Sequence, residues 1–351
     1  GDDGATGTEG RVVEGRVVEG TDRFCDVGDG VTLCYRVLGE PDGEPIVLIA
    51  GLSLDLTSWP DGFVRGLTEA GLRVVVLDGR DIGRSTRQPG PMPPRRRWLL
   101  GRPTPGGFDL RDLAADLVVL LDRLGIARAH VLGTSLGGMI GQVLAATRPD
   151  KVATFVSMYS NTGARGIGQP DPSSRRLLAH RRPRTAEEYA GQYLAMIRHI
   201  GSATYPIDEA VETAWAKGLW ERADGQVTGG VVRQVNAMLR TGDRTALLRR
   251  ITAPTLVIHG ERDLMVDPSG GAATAAAIPA ARLVTIEGMR HHIAPGLTPQ
   301  LVGLIVDHVR AHPAGGAVLP VGAPSAAAAG AAAAAAEAAG GIPAGVEGSV
   351  R

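Results

Sequence analysis

Lysine is nearly absent from this sequence: Lys151 and Lys217 are its only two lysines, and arginine supplies the remaining positive charge. A surplus of either charge is absent too, because 37 basic side chains are balanced by 37 acidic ones. Proteins that bind nucleic acids or anionic membranes generally present a basic face, and this composition provides no such overall field. The balance therefore speaks against a nucleic-acid partner and against a charge-driven membrane partner.

The sequence also lacks a long hydrophobic run, and its first residues do not predict a secretory leader. Its first ten residues are polar and acidic, without the basic start and apolar stretch of a signal peptide. The alanine-rich stretch at residues 326–339 is interrupted by Gly330 and Glu337, and alanine is only weakly lipophilic, which favours a flexible tail. We expect a cytoplasmic protein with no membrane partner.

Cysteine is scarce, with Cys25 and Cys34 as the only two. Between them, Asp29-Gly30 predicts a two-residue hairpin turn that pairs residue 28 with 31 and, further out, residue 25 with 34. On this prediction the two thiols face each other across neighbouring strands. In a reducing compartment we expect two free buried thiols, whereas a disulfide would point to export.

Short apolar segments alternate with helical patterns along most of the chain. Leucines recur at helical spacing from Leu110 to Leu124, between Asp109 as an N-cap and Gly125 as a stop. Wholly apolar strands that alternate with helices are typical of a mostly parallel sheet covered on both faces. The sequence therefore predicts an α/β fold, with strands at residues 46–50, 74–77, 130–132, 152–158, 255–259 and 283–286.

The alternation stops between residues 161 and 250, where helical patterns alone remain. Thr185 followed by Glu188 fits a capping box, and helical spacing covers residues 187–200, 208–222 and 230–240. A helical block between two parallel strands is a natural cap over the carboxyl edge of the sheet. We thus predict a disordered arm at 1–21, a core at 22–160 and 251–312, a helical cap at 161–250 and a low-complexity tail at 313–351.

A serine in a glycine-rich turn is the strongest chemical signal. Gly133-Thr134-Ser135-Leu136-Gly137 lies where an apolar strand meets an apolar helix. A serine hydroxyl becomes a good nucleophile only when its backbone is held in a tight, exposed turn with a base nearby, and flanking glycines permit that geometry. We predict Ser135 as the nucleophile and the backbone N–H of Leu136 as an oxyanion donor.

An acid and a base are expected later in the chain, in the order serine, acid, histidine. Asp263 follows the apolar strand at 255–259, and His291 follows the strand at 283–286. His292 is the immediate rival of His291, and Asp267 is an alternative loop aspartate. Because Ser135, Asp263 and His291 all fall at strand ends on one sheet edge, the pattern favours a catalytic triad. The N–H of Leu52, in the loop after an earlier strand, is the expected second oxyanion donor.

These motifs resemble the α/β-hydrolase superfamily from about residue 23 to residue 312. The stretches SWPDGF at 58–63 and LDGRDIGRST at 77–86 are similar to the branch that contains aclacinomycin methylesterases. The spacing from Gly260 to Asp263 resembles the acid loop of the family, and Gly288-Met289-Arg290-His291 resembles its Gly-Met-x-His element, which favours His291 over His292. The resemblance implies a sheet of about eight strands, a helical cap, no metal and no organic cofactor.

The chain departs from the family pattern at two places. Ala50 precedes Gly51 where the family usually has histidine, so the oxyanion loop is expected to be held differently. A proline- and arginine-rich insertion at 88–107 contains Arg95, Arg96 and Arg97, and a solvated loop is favoured there over a site for an anion.

The function predicted from the sequence is a serine hydrolase that acts on a small to medium, fairly apolar ester, with a small molecule as its partner. The methylesterase resemblance implies a polyketide or other natural-product ester. Two alternatives stay open: a lyase or cyclase that uses the His291–Asp263 pair as a general base, and a non-catalytic ligand-binding protein. Monomer and homodimer are both compatible. Bulky side chains expected to contact the substrate are Trp59, Tyr193, Met196, Trp215, Trp220 and Met238.

Overall fold

One eight-stranded sheet organises residues 20–315, which are the residues that the computed structural model describes. The spatial order is β1-β2-β4-β3-β5-β6-β7-β8. Strand β2 is antiparallel to β1 and to β4, and all other neighbours are parallel. The predicted mostly parallel α/β sheet is confirmed. The strands are Arg23–Gly28 (β1), Val31–Leu38 (β2), Glu44–Ile49 (β3), Leu72–Leu77 (β4), Ala129–Thr134 (β5), Val152–Met158 (β6), Thr255–Gly260 (β7) and Arg282–Ile286 (β8).

Eleven helices accompany the described strands, and they cover both faces of the sheet. Strands β5, β6 and β7 are buried along their whole length, which explains their continuous apolar sequences. No helix between residues 20 and 315 has the length and apolarity needed to cross a bilayer. The helices are Asp61–Glu69 (α1), Arg95–Leu99 (α2), Leu110–Arg123 (α3), Leu136–Thr147 (α4), Pro172–Leu178 (α5), Ala186–Ile200 (α6), Glu209–Arg222 (α7), Thr228–Thr241 (α8), Thr245–Leu248 (α9), Ser269–Ala277 (α10) and Thr298–Ala311 (α11).

Helix α3 begins and ends where its sequence signals predict. The Asp109 side chain accepts a hydrogen bond from the Arg111 N–H, and the Asp112 side chain accepts one from the Asp109 N–H, which completes a capping box. Beyond the helix, Gly125 adopts a φ of 68°, a conformation that glycine tolerates without strain. The leucines of α3 are buried against one face of the sheet and against α4.

The hairpin between β1 and β2 differs from the prediction by one residue. Gly28 pairs with Val31 as expected, but a bulge between Asp26 and Gly28 shifts the register, so Cys25 lies opposite Leu33. Because side chains alternate between the two faces of a strand, the shift sends Cys25 and Cys34 into the two different cores. The prediction that the thiols face each other is wrong. Both are free and buried.

Helices α5 to α9 all lie between β6 and β7, in the segment 161–250, which we call the inserted segment. Helix α6 starts with half of the predicted capping box: the Thr185 hydroxyl accepts from the Glu188 N–H at 3.1 Å. The Glu188 carboxylate instead accepts from the Arg184 N–H at 2.8 Å, one residue before the cap position. The predicted arm and tail lie outside the described residues, apart from residues 20–21 and 313–315.

The insertion at 88–107 lies along α8. Asn236 exchanges two hydrogen bonds with the backbone of Thr104, at 2.7 and 3.1 Å, and Arg233 donates to the Gly90 carbonyl at 2.8 Å. Within the insertion, the side chains of Leu99 and Leu100 are exposed. Side chains of the inserted segment thus bind the backbone of this insertion, and the solvated character proposed for its arginines stays a prediction.

Arg222, at the end of α7, joins the inserted segment to the sheet through three carboxylates, of which Asp55 and Asp78 are fully buried. Its guanidinium lies 2.9 Å from Asp55, 2.7 Å from Asp78 and 3.2 Å from Asp22. Burial raises the pKa of Asp78 to about 6, with the neighbouring Asp55 charge acting in the same direction and Arg222 acting against it. This network holds the inserted segment against the loops at the carboxyl ends of β3 and β4.

Replacing Arg222 by methionine is expected to lower the free energy of unfolding by about 3–5 kcal/mol at pH 8, because buried carboxylates lose their cation. Folded Asp78 keeps its proton up to about pH 6 and the unfolded group only to about pH 4, so its ionisation costs stability as the pH rises through that window. At pH 5 Asp78 is largely protonated and has less need of a cation, so the loss of unfolding free energy caused by Arg222→Met is expected to be smaller than at pH 8. Urea unfolding at the two pH values measures the difference. Equal losses at both pH values would contradict this explanation.

The exposed pair of Arg65 and Asp61 supplies the control for that experiment. Its 3.1 Å contact joins residues four apart on α1, and the Arg65 side chain is 63% exposed. Solvent screens such a pair, so Arg65→Met is expected to change stability by less than about 0.5 kcal/mol at either pH.

Candidate active site

Ser135 lies at the junction between β5 and α4. Its backbone has φ 51° and ψ −115°, a strained conformation for a residue with a side chain. The Ser135 N–H donates to the Met158 carbonyl at 2.9 Å, and its carbonyl accepts from the Ser160 hydroxyl at 2.7 Å. These bonds tie the turn to the end of β6 and hold the residue half-buried at the carboxyl edge of the sheet.

Two glycines allow the backbone to pack around Ser135. A Cβ atom on Gly133 would lie 2.1 Å from the Gly137 carbonyl oxygen, and one on Gly137 would lie 1.9 Å from the Ile49 carbonyl oxygen. Neither distance is possible for another residue type. The glycines of the predicted motif thus bring the first turn of α4 against the end of β3 and the loop that follows it.

That loop places Leu52 near the start of α4. A Cβ atom on Gly51 would lie 3.4 Å from the Cβ of Ser135, so the loop backbone runs directly beside the serine. Within residues 20–315, neither the Leu52 N–H nor the Leu136 N–H has a protein acceptor. Two unpartnered amides that flank a serine form the kind of site that binds an oxyanion.

Asp263 and His291 are hydrogen bonded to each other. His291 Nδ1 lies 2.7 Å from Asp263 Oδ2, and Asp263 Oδ1 accepts from the N–H groups of Met265 and Val266 at 2.8 and 2.9 Å. Burial alone would raise the pKa of Asp263, yet that pKa is lowered because His291 and His259 stabilise the carboxylate. A carboxylate in this position orients the imidazole with Nδ1 protonated and leaves Nε2 as a base.

The loop after β8 fixes His291 by its backbone and its ring. The His291 N–H donates to the Ile200 carbonyl at the end of α6, 3.0 Å away. The ring packs on Tyr159, whose centroid is 4.4 Å away and which directly follows Met158 of β6. His292 points elsewhere, with Nε2 at 3.7 Å from Glu212 in the inserted segment. The structure thus brings His291, and not its rival, to Asp263.

His259 is a neighbour of the acid that sequence reasoning did not single out. Its Nε2 donates to the Val266 carbonyl at 2.9 Å and lies 3.3 Å from Asp263 Oδ2. A signal was present, because His259 is a polar residue inside an otherwise apolar strand, four residues before Asp263. Its contacts hold the turn that carries the carboxylate.

The Ser135 hydroxyl and His291 Nε2 are both without a hydrogen-bond partner in the described part of the chain. Catalytic hydrogen bonds are often long or misaligned before substrate binds, so the absence of a bond between these groups is compatible with proton transfer. No group of three or more histidine, cysteine, aspartate or glutamate side chains among residues 20–315 is arranged to hold a metal ion.

The bulky residues expected to contact a substrate are dispersed. Trp59 is buried in the core, where it stacks on Phe63 with 5.8 Å between ring centroids. Trp215 donates to the Thr57 carbonyl at 3.0 Å and meets the Tyr193 ring edge-on, with 5.0 Å between centroids. These three side chains take part in packing, and their contact with a substrate stays a prediction.

The remaining candidates lie at the periphery of the inserted segment. Trp220 packs against Tyr189 with 5.9 Å between ring centroids, and Met238 is partly buried on the core side of α8. Met196 is half-buried on α6. Their contact with a substrate stays a prediction.

A cleft opens instead beside the loop after β3. It is small, with a cavity volume of about 30 Å³, and most of its wall is aliphatic, including Leu33, Leu113 and Ile140. Ala50 forms part of this wall at the position where the family usually has histidine. The side chains of Arg80, Asp116 and Gln234 also line it. Sequence reasoning missed these three because they come from the loop after β4, from α3 and from α8.

Comparison with known proteins agrees with this architecture. The family model described as alpha/beta hydrolase fold matches residues 44–295, a stretch that includes Ser135, Asp263 and His291. The chain belongs to the α/β-hydrolase family, and the resemblance expected from its motifs is confirmed. It is an esterase-like member of that family.

Two relatives and two solved structures illustrate what this chain is similar to. Rhodomycin D methylesterase DnrP of Streptomyces peucetius is 33% identical over 302 residues, which cover 81% of this chain and 96% of the relative. Rhodomycin D methylesterase DauP of Streptomyces sp. strain C5 is 32% identical with the same coverage. A hydrolase from Pseudomonas aeruginosa has a TM-score of 0.61 at 26% identity, covering 83% of this chain and 98% of its own. Esterase RhEst1 from Rhodococcus sp. ECU1013 has a TM-score of 0.63 at 23% identity, covering 83% of this chain and 97% of its own. This likeness supports the fold.

Proposed function

We propose that this protein hydrolyses a carboxylic ester by a serine mechanism, with Ser135 as nucleophile, His291 as base and Asp263 as the group that orients the base. The observation that carries the proposal is the buried 2.7 Å bond between Asp263 and His291 at the edge of the sheet where the strained Ser135 turn also lies. The three groups come from the ends of β5, β7 and β8, as a triad requires.

In the proposed reaction, His291 Nε2 removes the proton of the Ser135 hydroxyl as the oxygen attacks the ester carbonyl. The negative oxygen that develops is bound by the N–H groups of Leu52 and Leu136. His291 then donates its proton to the leaving alcohol, and water repeats the sequence to release the acid from Ser135. Asp263 stays ionised and stabilises the imidazolium that forms between these steps.

For the substrate, we propose a small-molecule ester on an apolar natural-product framework. The relatives named rhodomycin D methylesterase support this class. We further propose that the inserted segment acts as a helical cap. Helix α8 of that segment supplies Gln234 to the cleft, and the end of α6 holds the loop of His291.

A fluorophosphonate probe tests the mechanism directly. Ser135 is expected to attack phosphorus with loss of fluoride, and mass spectrometry of peptides should place the adduct on Ser135. In parallel, short-chain nitrophenyl esters should be turned over. A label on Ser135 without ester turnover would favour the elimination or cyclisation alternative. Folded protein with neither label nor turnover would rule out the hydrolase and favour a binding protein.

A further inference from the structure

The loop after β3 contains a turn whose backbone does not suit serine. The Leu54 N–H donates to the Gly51 carbonyl at 3.2 Å, so Leu52 and Ser53 are the two central residues of the turn. Ser53 has a φ of 66°, in the left-handed region that side chains disfavour. Turns with a positive φ at the second central position usually have glycine or asparagine there. A contact from outside the turn is therefore needed to keep serine in this conformation.

Gln234, on α8, supplies that contact. Its Oε1 accepts a hydrogen bond from the Ser53 N–H at 2.9 Å, and the Gln234 residue is only 5% exposed. The bond fixes the peptide group between Leu52 and Ser53. In the alternative turn, where the second central residue has a negative φ, this peptide group is flipped and its N–H points the other way. Without Gln234, the turn would thus be free to adopt the form that serine prefers.

The same turn carries the proposed oxyanion donor. The backbone at Gly51 runs directly beside Ser135, and the Leu52 N–H that follows has no protein acceptor within residues 20–315. A flip of the peptide group after Leu52 would move Leu52 relative to Ser135. A misplacement of about 1 Å at a reacting centre can cost about 10²-fold in rate. Because Ala50 stands where the family usually has histidine, this loop is expected to be held differently, and Gln234 binds it three residues further on.

We infer that Gln234 is a positioning residue for the oxyanion loop: its Oε1 keeps the turn in the form that directs the Leu52 N–H at the developing oxyanion. The oxyanion site is then complete only while α8 of the inserted segment is packed on the loop. Gln234 touches no reacting atom in this role, so its contribution falls on the transition state and not on substrate binding. The effect on catalysis rests on the proposed function, whereas the effect on the turn does not.

Gln234→Met tests the inference, because it removes the amide acceptor and keeps an unbranched side chain of similar length. The kcat for nitrophenyl acetate is expected to fall about 10- to 100-fold, with KM changed less than about twofold. Inhibition by phenylboronic acid should weaken at least about 10-fold. In that adduct the Ser135 oxygen bonds to boron, His291 takes the serine proton, and a boron hydroxyl occupies the oxyanion position.

Asn236→Leu is the matched control. Asn236 is also a buried amide on α8, and its two hydrogen bonds join that helix to the backbone of Thr104 in the insertion. The substitution weakens the attachment of α8 but leaves the bond to Ser53 in place. Both kcat and the inhibition by phenylboronic acid should therefore stay within about twofold of the wild-type values.

Ser53→Gly separates positioning of the turn from general packing by Gln234. Glycine adopts positive φ values about as readily as negative ones, so the turn depends less on an outside acceptor. In the Ser53→Gly background, Gln234→Met is expected to lower kcat less than about threefold. If Gln234 acted only by filling space, the substitution would cost the same in both backgrounds.

Amide hydrogen exchange, followed by NMR, reads the turn without any turnover. The Ser53 N–H should exchange slowly in the wild-type protein, at least about 10-fold faster in Gln234→Met, and within about twofold of wild type in Asn236→Leu. Gln234→Ala, which also lacks the acceptor and adds no bulk, serves if the methionine variant does not fold.

Unchanged kcat in a folded variant without the acceptor, an equal loss in both backgrounds, or fast Ser53 exchange in the wild-type protein would overturn the inference. Faster Ser53 exchange on loss of the acceptor, in a protein that hydrolyses no ester, would uphold the hold of Gln234 on the turn and reject the proposed hydrolysis. Ester turnover that is insensitive to the acceptor would leave the hydrolysis standing and reject the role of Gln234.

Discussion

Ser135→Ala is expected to reduce kcat/KM for nitrophenyl acetate by about 10⁴-fold or more and to abolish labelling by the fluorophosphonate probe. Without the hydroxyl, no covalent intermediate forms, and the remaining amides and imidazole only accelerate attack by water. The turn is held by the backbone of residue 135, whose N–H donates to the Met158 carbonyl and whose carbonyl accepts from the Ser160 hydroxyl, and alanine retains both bonds. The urea unfolding midpoint should therefore change little.

Ser157→Ala is the matched control for that substitution. Ser157 lies on β6, paired with Gly133, and its buried hydroxyl has no hydrogen-bond partner within the part of the chain that the structure describes. Removing an unsatisfied buried hydroxyl is expected to leave activity within about twofold and stability equal or higher. A Ser135→Ala protein as active as the Ser157→Ala protein would show that catalysis does not pass through Ser135.

The elements that sequence patterns predict well are those fixed by local rules. Five of the six predicted strands lie within observed strands, and the sixth, 46–50, extends one residue past the end of β3. Helix α3 begins directly after its predicted N-cap, Asp109, because Asp109 and Asp112 form a local capping box. The pairing of Asp263 with His291 could also be predicted, because parallel strands end at one edge and the Gly-Met-x-His element favoured His291 over its neighbour His292. Local sequence patterns were sufficient to predict these elements.

What the sequence did not reveal depends on long-range contacts. The bulge at Asp26–Gly28 separates Cys25 from Cys34. Counting residue pairs outward from the turn assumes a regular ladder and therefore cannot predict a bulge. Arg222 meets Asp22, Asp55 and Asp78 from distant parts of the sequence. Arg80 and Gln234, which both line the cleft beside the loop after β3, come from the loop after β4 and from α8, so their convergence appears only once the inserted segment is packed.

Asp263→Asn is expected to lower kcat/KM by about 10⁴-fold while the Ser135 hydroxyl remains present. The side-chain oxygen of asparagine can keep the bonds from Met265 and Val266, which leaves its NH₂ group facing His291 Nδ1. Because NH₂ only donates, His291 would carry its proton on Nε2 and lose the lone pair that must accept the serine proton. Fluorophosphonate labelling should slow in parallel with ester turnover.

Asp267→Asn separates this effect from a general loss of loop structure. Asp267 is an exposed aspartate in the same loop, and it accepts from the Ser269 N–H at 2.9 Å, a bond that the oxygen of asparagine can also accept. The variant should therefore keep activity within about twofold. If both asparagine variants lost activity equally, the loop would act through its shape. If neither did, the carboxylate behind His291 would have no part in the reaction, because Asp263→Asn removes both the acceptor that keeps the proton on Nδ1 and the negative charge that stabilises the imidazolium.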